Sequence, residues 1–202
     1  LFARTGTGKT SLINAGVRPV LEAKKFRTFY VRVEKDPTEA ARDVLIRENL
    51  LKDSRDAIPL SEQLGSVVKS LKRPIVLFFD QFEEFFIQIE DQEKRRQFIS
   101  NISEVYRNPE SGVHIVFSMR QEYFHEMDEF RSEIPSIFHK SSNLKLRPLD
   151  EDQARMAITK PAAVLGAEFE PILVDEIIKD LKMEKGSIRP PSLQIICDTL
   201  WR

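Results

Sequence analysis

The sequence predicts an α/β fold in which helices cover both faces of a parallel sheet, followed by a small all-helical subdomain. Three observations support this prediction. Strand and helix patterns alternate along residues 1–149. Residues 74–80 are a continuous apolar run that ends on an acid, which is typical of a strand buried on both faces, and residues 113–119 predict another buried strand. After residue 149 only helical patterns follow, so we divide the chain into residues 1–149 and 150–202.

Each element has a local signal. Leu1 and Phe2 resemble the end of a buried strand, and Ser61 is a plausible helix cap. The expected strands are residues 27–33 and a short segment within 143–149. The expected helices are 9–15, which Gly16 ends, a continuation from Pro19 to about 24, and then 37–51, 61–71, 93–106, 150–165, 171–181 and 192–201. The apolar face of the helix over 93–106 consists of Phe98, Ile99, Ile102, Val105 and Tyr106.

Composition narrows the function classes. The chain has 202 residues, is 41% hydrophobic and carries a net charge of -1, so no global charge attracts nucleic acid or an anionic membrane. Cys197 is the single cysteine, which excludes an internal disulfide and fits a cytoplasmic setting. The three histidines lack metal-ligand spacing, and no apolar run reaches the length of a membrane span.

Residues 3–10, "ARTGTGKT", match the phosphate-binding loop G-x-x-x-x-G-K-[ST] except that Ala3 replaces its first glycine. Small residues let the backbone N–H groups of Thr5–Gly8 surround a phosphate, and a helix that begins near Lys9 directs its positive end toward that phosphate. Lys9 would reach the β- and γ-phosphates, and the Thr10 hydroxyl would bind Mg²⁺. Ser11 completes the predicted nucleotide-binding segment.

Asp80 provides a second, independent signal about 70 residues downstream. It ends the apolar run "PIVLFFD", and the carboxyl edge of a parallel sheet is where ligands bind in open α/β folds. We therefore expect Asp80 to hold Mg²⁺ from a strand that neighbours the one leading into the phosphate loop.

Hydrolysis also needs an acid that orients or deprotonates water. Gln81 occupies the position directly after Asp80, and the acids follow at Glu83 and Glu84. Both stay candidates, with a slight preference for Glu84. Arg120 ends the next buried strand, where it could contact the γ-phosphate.

These segments resemble successive motifs of the STAND NTPases, in particular the group called novel STAND NTPase 1. The resemblance covers essentially the whole chain, and its most specific parts are "DQFEEFF" and "PPSLQIICDTLW". It implies an AAA+-like P-loop module followed by a helical lid. It also implies that Lys9 and Thr10 bind phosphate and Mg²⁺, that Arg120 senses the nucleotide, and that Pro191 takes the place of a lid proline near the adenine.

The resemblance further implies an ATP-dependent switch between flanking effector and sensor domains, with oligomerisation on activation and, in bacterial members, a role in defence. Ala3 departs from the family pattern. A methyl group there costs about 1 kcal/mol or more if φ is positive, and little if φ is negative. The first strand is nearly absent from these residues, and we expect the effector and sensor domains outside them.

Three hypotheses therefore stay open. The first is a switch that binds ATP or ADP with Mg²⁺ and hydrolyses ATP slowly. The second is a nucleotide-binding assembly module without turnover, which Ala3 and Gln81 favour. The third is a nucleic-acid-acting AAA+ ATPase, which the near-neutral charge disfavours.

Overall fold

Four parallel strands form one sheet in the computed structural model, which describes residues 1–34, 36–52, 58–183 and 186–201. The order of the strands across the sheet is β1-β4-β3-β2. Their bounds are β1 (Phe2–Ala3), β2 (Arg27–Arg32), β3 (Ile75–Asp80) and β4 (Val113–Arg120). The strand of Asp80 is therefore not next to β1 as the sequence led us to expect, because β4 lies between them and pairs with both.

The chain divides into two compact units. The first contains Leu1–Ala3 and Lys9–Lys145, and the second contains Arg4–Gly8 and Leu146–Arg202. The first unit holds the sheet and the following helices: α1 (Lys9–Ser11), a π-helical segment (Leu12–Val17), α2 (Arg18–Ala23), α3 (Pro37–Arg47), α4 (Leu60–Leu71), α5 (Glu83–Gln88) and α6 (Gln92–Arg107). Short 3₁₀ segments follow at Pro109–Ser111, Gln121–Phe130, Pro135–Phe138 and Lys140–Ser142.

The side chains of β3 alternate between the two faces of the sheet. Ile75, Leu77 and Phe79 point into the larger hydrophobic core with α3, α4 and α6. Val76 and Phe78 point the other way and form a smaller core with Ile13 of the π-helical segment. Because side chains alternate along a strand, Asp80 shares the face of Val76 and Phe78, which is the face that carries the helix following the phosphate loop.

Several local expectations were wrong. Gly16 does not end a helix, because it lies inside the π-helical segment. α1, this segment and α2 follow one another without a break from Lys9 to Ala23. The helix expected over 37–51 ends at Arg47, since Asn49 turns the chain with φ of 58°. No strand forms within 143–149, where Lys145 and Leu149 make only isolated bridges.

Two side-chain expectations also failed. Ser61 is not a helix cap, because α4 begins one residue earlier with Pro59 at its N-cap, and the Ser61 hydroxyl bonds Glu104 instead. Tyr106 does not belong to the buried face of α6, since it is 46% exposed.

The second unit is helical, as expected for a lid. Its helices are α7 (Glu151–Val164), α8 (Pro171–Leu181) and α9 (Pro190–Trp201). Asp150 starts α7 with a capping box, in which its carboxylate accepts the Gln153 N–H and the Gln153 side chain accepts the Asp150 N–H. A separate core joins the three helices through Ala154, Ile158, Val174, Ile177, Ile178, Ile188 and Leu193. Among the described residues, no helix is long and apolar enough to cross a membrane.

Candidate nucleotide site

The phosphate loop begins directly after β1, where Ala3 is fully buried and pairs with Arg120. Ala3 is a strand residue without a positive φ, so the methyl group that replaces the family's glycine carries no left-handed strain there. The left-handed positions are Gly6, with φ of 74°, and Gly8, with φ of 90°. The loop therefore has glycine at the positions where its backbone requires it.

Within the second unit, the loop forms an internal hydrogen bond and lies beside the start of α9. Thr7 is buried, and its hydroxyl donates to the Arg4 carbonyl at 2.6 Å. A methyl group on Gly6 would lie 3.6 Å from Pro191 Cγ, and one on Gly8 would lie 3.6 Å from Pro190 Cγ. The two prolines that open α9 thus lie beside the two left-handed glycines.

The helix after the loop begins at Lys9. The Lys9 ammonium is half-buried and forms no hydrogen bond or ion pair with the described part of the chain. Thr5 and Ser11 are exposed and likewise have no side-chain partner within those residues. The Thr10 hydroxyl, by contrast, donates to Asp80 Oδ2 at 2.6 Å. This bond joins the phosphate-loop helix to the end of β3.

Asp80 is 1% exposed, and its two oxygens differ. Oδ2 accepts a second hydrogen bond, from the Tyr30 hydroxyl on β2 at 2.7 Å. Oδ1 is buried without a hydrogen bond of normal geometry, and so is the hydroxyl of Ser118, the register partner of Asp80 on β4. Burial alone would raise the pKa of Asp80. The nearby Ser118 hydroxyl and the bonds from Thr10, Tyr30 and the Gln81 backbone outweigh it, so the pKa lies below its ordinary value of 3.8.

Tyr30 is affected in the opposite direction. Burial, and then its hydrogen bond to the Asp80 carboxylate, raise the pKa of Tyr30 to about 12. Tyr30 therefore stays a hydrogen-bond donor at neutral pH.

Gln81 turns the chain away from the sheet. Its φ of 56° is left-handed, which is uncommon for a residue other than glycine. The turn returns Phe82 to the core, where it is fully buried and its N–H donates to the Ser118 carbonyl at 2.9 Å. This reversal brings Glu83 to the end of β4.

Glu83 and Arg120 form the second cluster at the sheet edge. Glu83 is 3% exposed, its Oε1 lies 3.0 Å from Arg120 Nε, and its Oε2 accepts the Arg120 backbone N–H at 3.1 Å. Both carboxylate oxygens are thus engaged by one residue. Glu84 is half-buried and accepts from the Gln88 side chain at 3.1 Å, one turn along α5. The slight preference for Glu84 gains no support from these contacts and stays a prediction.

Comparison with known proteins identifies the family of the chain. The model of the family described as Novel STAND NTPase 1 matches residues 1–202. The chain belongs to this family. No curated protein matches it at a significant level of sequence similarity.

Solved structures show the fold of this STAND NTPase. The ORC2 protein of Aeropyrum pernix in its ADPNP–ADP complexes matches with a TM-score of 0.66 and 15% identity, over 100% of this chain and 57% of that one. Its ADP form matches with a TM-score of 0.60 and 17% identity, over 100% and 58%. The ORC1 protein of the same organism in complex with DNA matches with a TM-score of 0.59 and 17% identity, over 97% and 52%.

The fold is therefore that of the AAA+ ATPases, with a parallel sheet flanked by helices and a helical C-terminal part. This STAND NTPase spans little more than half the length of the ORC structures that it matches. Family and fold together make the chain a nucleotide-binding NTPase module.

The residues at the sheet edge fit Mg²⁺. A hydroxyl and a carboxylate are the oxygen donors that this ion prefers, and the buried Asp80 Oδ1 has no partner. Within the part of the chain that the structure describes, no three His, Cys, Asp or Glu side chains come together as a metal site. Phosphate and water oxygens would therefore complete the coordination, as is usual for Mg²⁺ bound with a nucleotide.

Tyr30 and Ser118 were missed by the sequence reasoning. Each lies in a strand beside β3, on the same face of the sheet as Asp80. Strand alternation would have placed them on that face, but it does not reveal which hydroxyl reaches the carboxylate.

Proposed function

We propose that this STAND NTPase is the ATP-binding and slowly hydrolysing switch module of a signalling protein, in which the nucleotide state controls conformation and oligomerisation. The observation that supports it best is the 2.6 Å hydrogen bond between Thr10 and Asp80. It brings together two residues, 70 positions apart in the chain, that we assign to Mg²⁺ binding.

Binding of ATP or ADP is assigned to the phosphate loop and the start of its helix. The backbone N–H groups of Thr5–Gly8 surround the phosphates, and the ammonium of Lys9 neutralises the β- and γ-phosphates. Its lack of a protein partner within the described residues supports this role. Ser11 extends the binding segment, and Pro191 lies toward the adenine by resemblance to the family.

Mg²⁺ is assigned to Thr10 Oγ1 and the Asp80 carboxylate. When bound, the ion would offset phosphate charge and polarise the phosphoryl group. The Thr10 hydroxyl keeps its single hydrogen directed at Asp80, which leaves its lone pairs for the metal.

Hydrolysis is assigned to Glu83 as the general base and Arg120 as the group that contacts the γ-phosphate. The Glu83 carboxylate can accept a proton from water only after it leaves the Arg120 guanidinium. Attraction of Arg120 toward the γ-phosphate would release Glu83, and the need for this exchange would make turnover slow. Glu84 stays the second candidate for the base.

The wider role rests on the family resemblance. We propose a cytoplasmic protein in which effector and sensor domains flank this module, with homo-oligomerisation on activation and a role in bacterial defence. The near-neutral charge supports a module that does not itself act on nucleic acid.

A ligand-stability experiment tests the nucleotide site. ADP or ATP with Mg²⁺ should raise the Tm of the native protein, and Lys9→Ala and Asp80→Ala should each abolish that rise. Lys69→Ala is the matched control, since Lys69 is an exposed lysine on α4. Unchanged nucleotide-induced shifts in both site variants would contradict the assignment.

A second candidate is a nucleotide-binding assembly module without turnover. The engagement of both Glu83 oxygens by Arg120 favours it. A steady-state ATPase assay separates the two candidates, because hydrolysis that is lost in Glu83→Gln or Glu84→Gln excludes a module without turnover.

A third candidate is a nucleic-acid-acting AAA+ ATPase, since one structural neighbour was solved in complex with DNA. Salt-dependent DNA binding by this module would favour it.

A further inference from the structure

Two hydroxyls from different elements donate hydrogen bonds to the Asp80 carboxylate. Thr10 donates from the phosphate-loop helix at 2.6 Å, and Tyr30 donates from β2 at 2.7 Å, both to Oδ2. Tyr30 is not the register partner of Asp80, because it pairs with Phe78 and Arg32 pairs with Asp80. Its hydroxyl therefore reaches along the sheet toward the edge, which a shorter side chain at this position could not do.

The two donors are not equivalent. The Thr10 oxygen is itself a proposed metal ligand. The same hydroxyl would therefore have to donate its hydrogen to Asp80 and offer a lone pair to Mg²⁺. Tyr30 is not a proposed metal ligand. Its hydroxyl donates to Asp80 and also lies within reach of the Thr10 hydroxyl. Tyr30 is therefore the donor to Asp80 that does not itself have to contact the metal.

The Ser118 hydroxyl and the Gln81 backbone also lie near Asp80. Among the described residues, neither forms a hydrogen bond of normal geometry to Oδ1. Partners that orient a metal ligand raise metal affinity by fixing the ligand before the metal arrives. We infer that Tyr30 is a positioning residue for Mg²⁺, acting through the Asp80 carboxylate. This inference rests on the proposed function of Asp80.

The test is a Mg²⁺ titration at saturating ADP, in which the Tm or the heat of binding is followed as MgCl₂ is added to a metal-free solution. Tyr30→Phe keeps the ring and removes only the hydroxyl. We expect it to raise the Mg²⁺ concentration at half-saturation about tenfold, within the range found for such partners. ADP binding in excess EDTA should stay unchanged, because the substitution removes only the hydroxyl that donates to Asp80. Tyr106→Phe is the control, since Tyr106 is exposed on α6 and lies outside the site.

Asp80→Asn and the double variant separate the two claims. If Tyr30 acts through Asp80, Tyr30→Phe has no further effect on the Mg²⁺ requirement once Asp80 is replaced. A wild-type requirement in Tyr30→Phe, together with a raised one in Asp80→Asn, would overturn the inference and leave the proposed function standing. A wild-type requirement in Asp80→Asn would overturn both.

Two further outcomes would also overturn the inference. Additive effects of the two substitutions would mean that Tyr30 acts independently of Asp80. Loss of ADP binding by Tyr30→Phe in EDTA would mean that the residue supports the fold instead of the metal ligand.

Discussion

Asp80 and Glu83 are two buried carboxylates at one edge of the sheet, three residues apart in the chain and 1% and 3% exposed. Asp80 accepts hydrogen bonds from two neutral hydroxyls, those of Thr10 and Tyr30, and keeps one oxygen unpaired. Glu83 faces a guanidinium and a backbone N–H of the same residue, Arg120, and both of its oxygens are paired.

The two acids therefore have different chemical capacities in this conformation. Neutral donors do not offset the negative charge of Asp80, so a cation at its unpaired oxygen would find both charge and a free acceptor. The charge of Glu83 is already offset by Arg120, so Glu83 cannot take a proton from water until that pair opens. The two carboxylates at this edge therefore differ in what they leave free: Asp80 keeps an oxygen that a cation could contact, and both oxygens of Glu83 are paired with Arg120.

The largest expected effect separates the two candidate bases. Glu83→Gln should lower steady-state ATP turnover by about 100-fold or more, the usual contribution of a general base. Glu84→Gln should leave turnover within about twofold, because within the described part of the chain the Glu84 side chain forms a hydrogen bond only with Gln88 on its own helix. Phosphate release under saturating ATP and Mg²⁺ measures both. The reverse order of effects would assign the base to Glu84 and make Glu83 a partner of Arg120 alone.

A smaller effect should appear in stability. Arg120→Ala leaves the Glu83 carboxylate buried without its cation, and we expect the free energy of unfolding in urea to fall by about 1.5 kcal/mol. The loss stays modest because the Arg120 side chain is 45% exposed, so water can partly replace it.

Adding Glu83→Gln to Arg120→Ala should recover part of that loss, since the buried charge is then removed. Additivity of the two single substitutions would show that the pair contributes no coupling energy.

The smallest effects concern the phosphate loop. Gly6→Ala forces a methyl group onto a backbone with φ of 74°, and we expect about 1 kcal/mol of strain, or roughly fivefold weaker ADP binding. Ala3→Gly should not strengthen ADP binding, because Ala3 lies in β1 without a positive φ. Calorimetric titration of both variants with ADP measures this, and tighter binding by Ala3→Gly would contradict the account of the loop.

Much of the fold could be predicted because its signals are local. The apolar run that ends at Asp80 and the helical periodicity after Asp150 each come from a few consecutive residues. The insertion of β4 between β1 and β3 could not be predicted in this way, because strand order depends on packing across the whole sheet. The π-helical segment could not be predicted either, because the local pattern identified Gly16 as the end of the helix and the segment continues through it.

The site was predictable to the same extent. Thr10 and Asp80 lie together as motif spacing and the sheet edge suggested. The bonds from Tyr30 to Asp80 and from Arg120 to Glu83 depend on side-chain reach between different strands and turns. The left-handed turn at Gln81 brings Glu83 to Arg120. The sequence does not predict this turn, because the left-handed position holds glutamine and not glycine.

One measurement tests the contrast between the two acids most directly. It is the Mg²⁺ requirement of ADP binding in Asp80→Asn compared with Glu83→Gln, determined by calorimetric titration of the native protein. We predict that Asp80→Asn raises the requirement by on the order of 100-fold, since a bound metal ion contributes several kcal/mol. Glu83→Gln should keep the wild-type requirement within about twofold. Equal effects of the two substitutions, or a larger effect of Glu83→Gln, would contradict the assignment of the metal to Asp80.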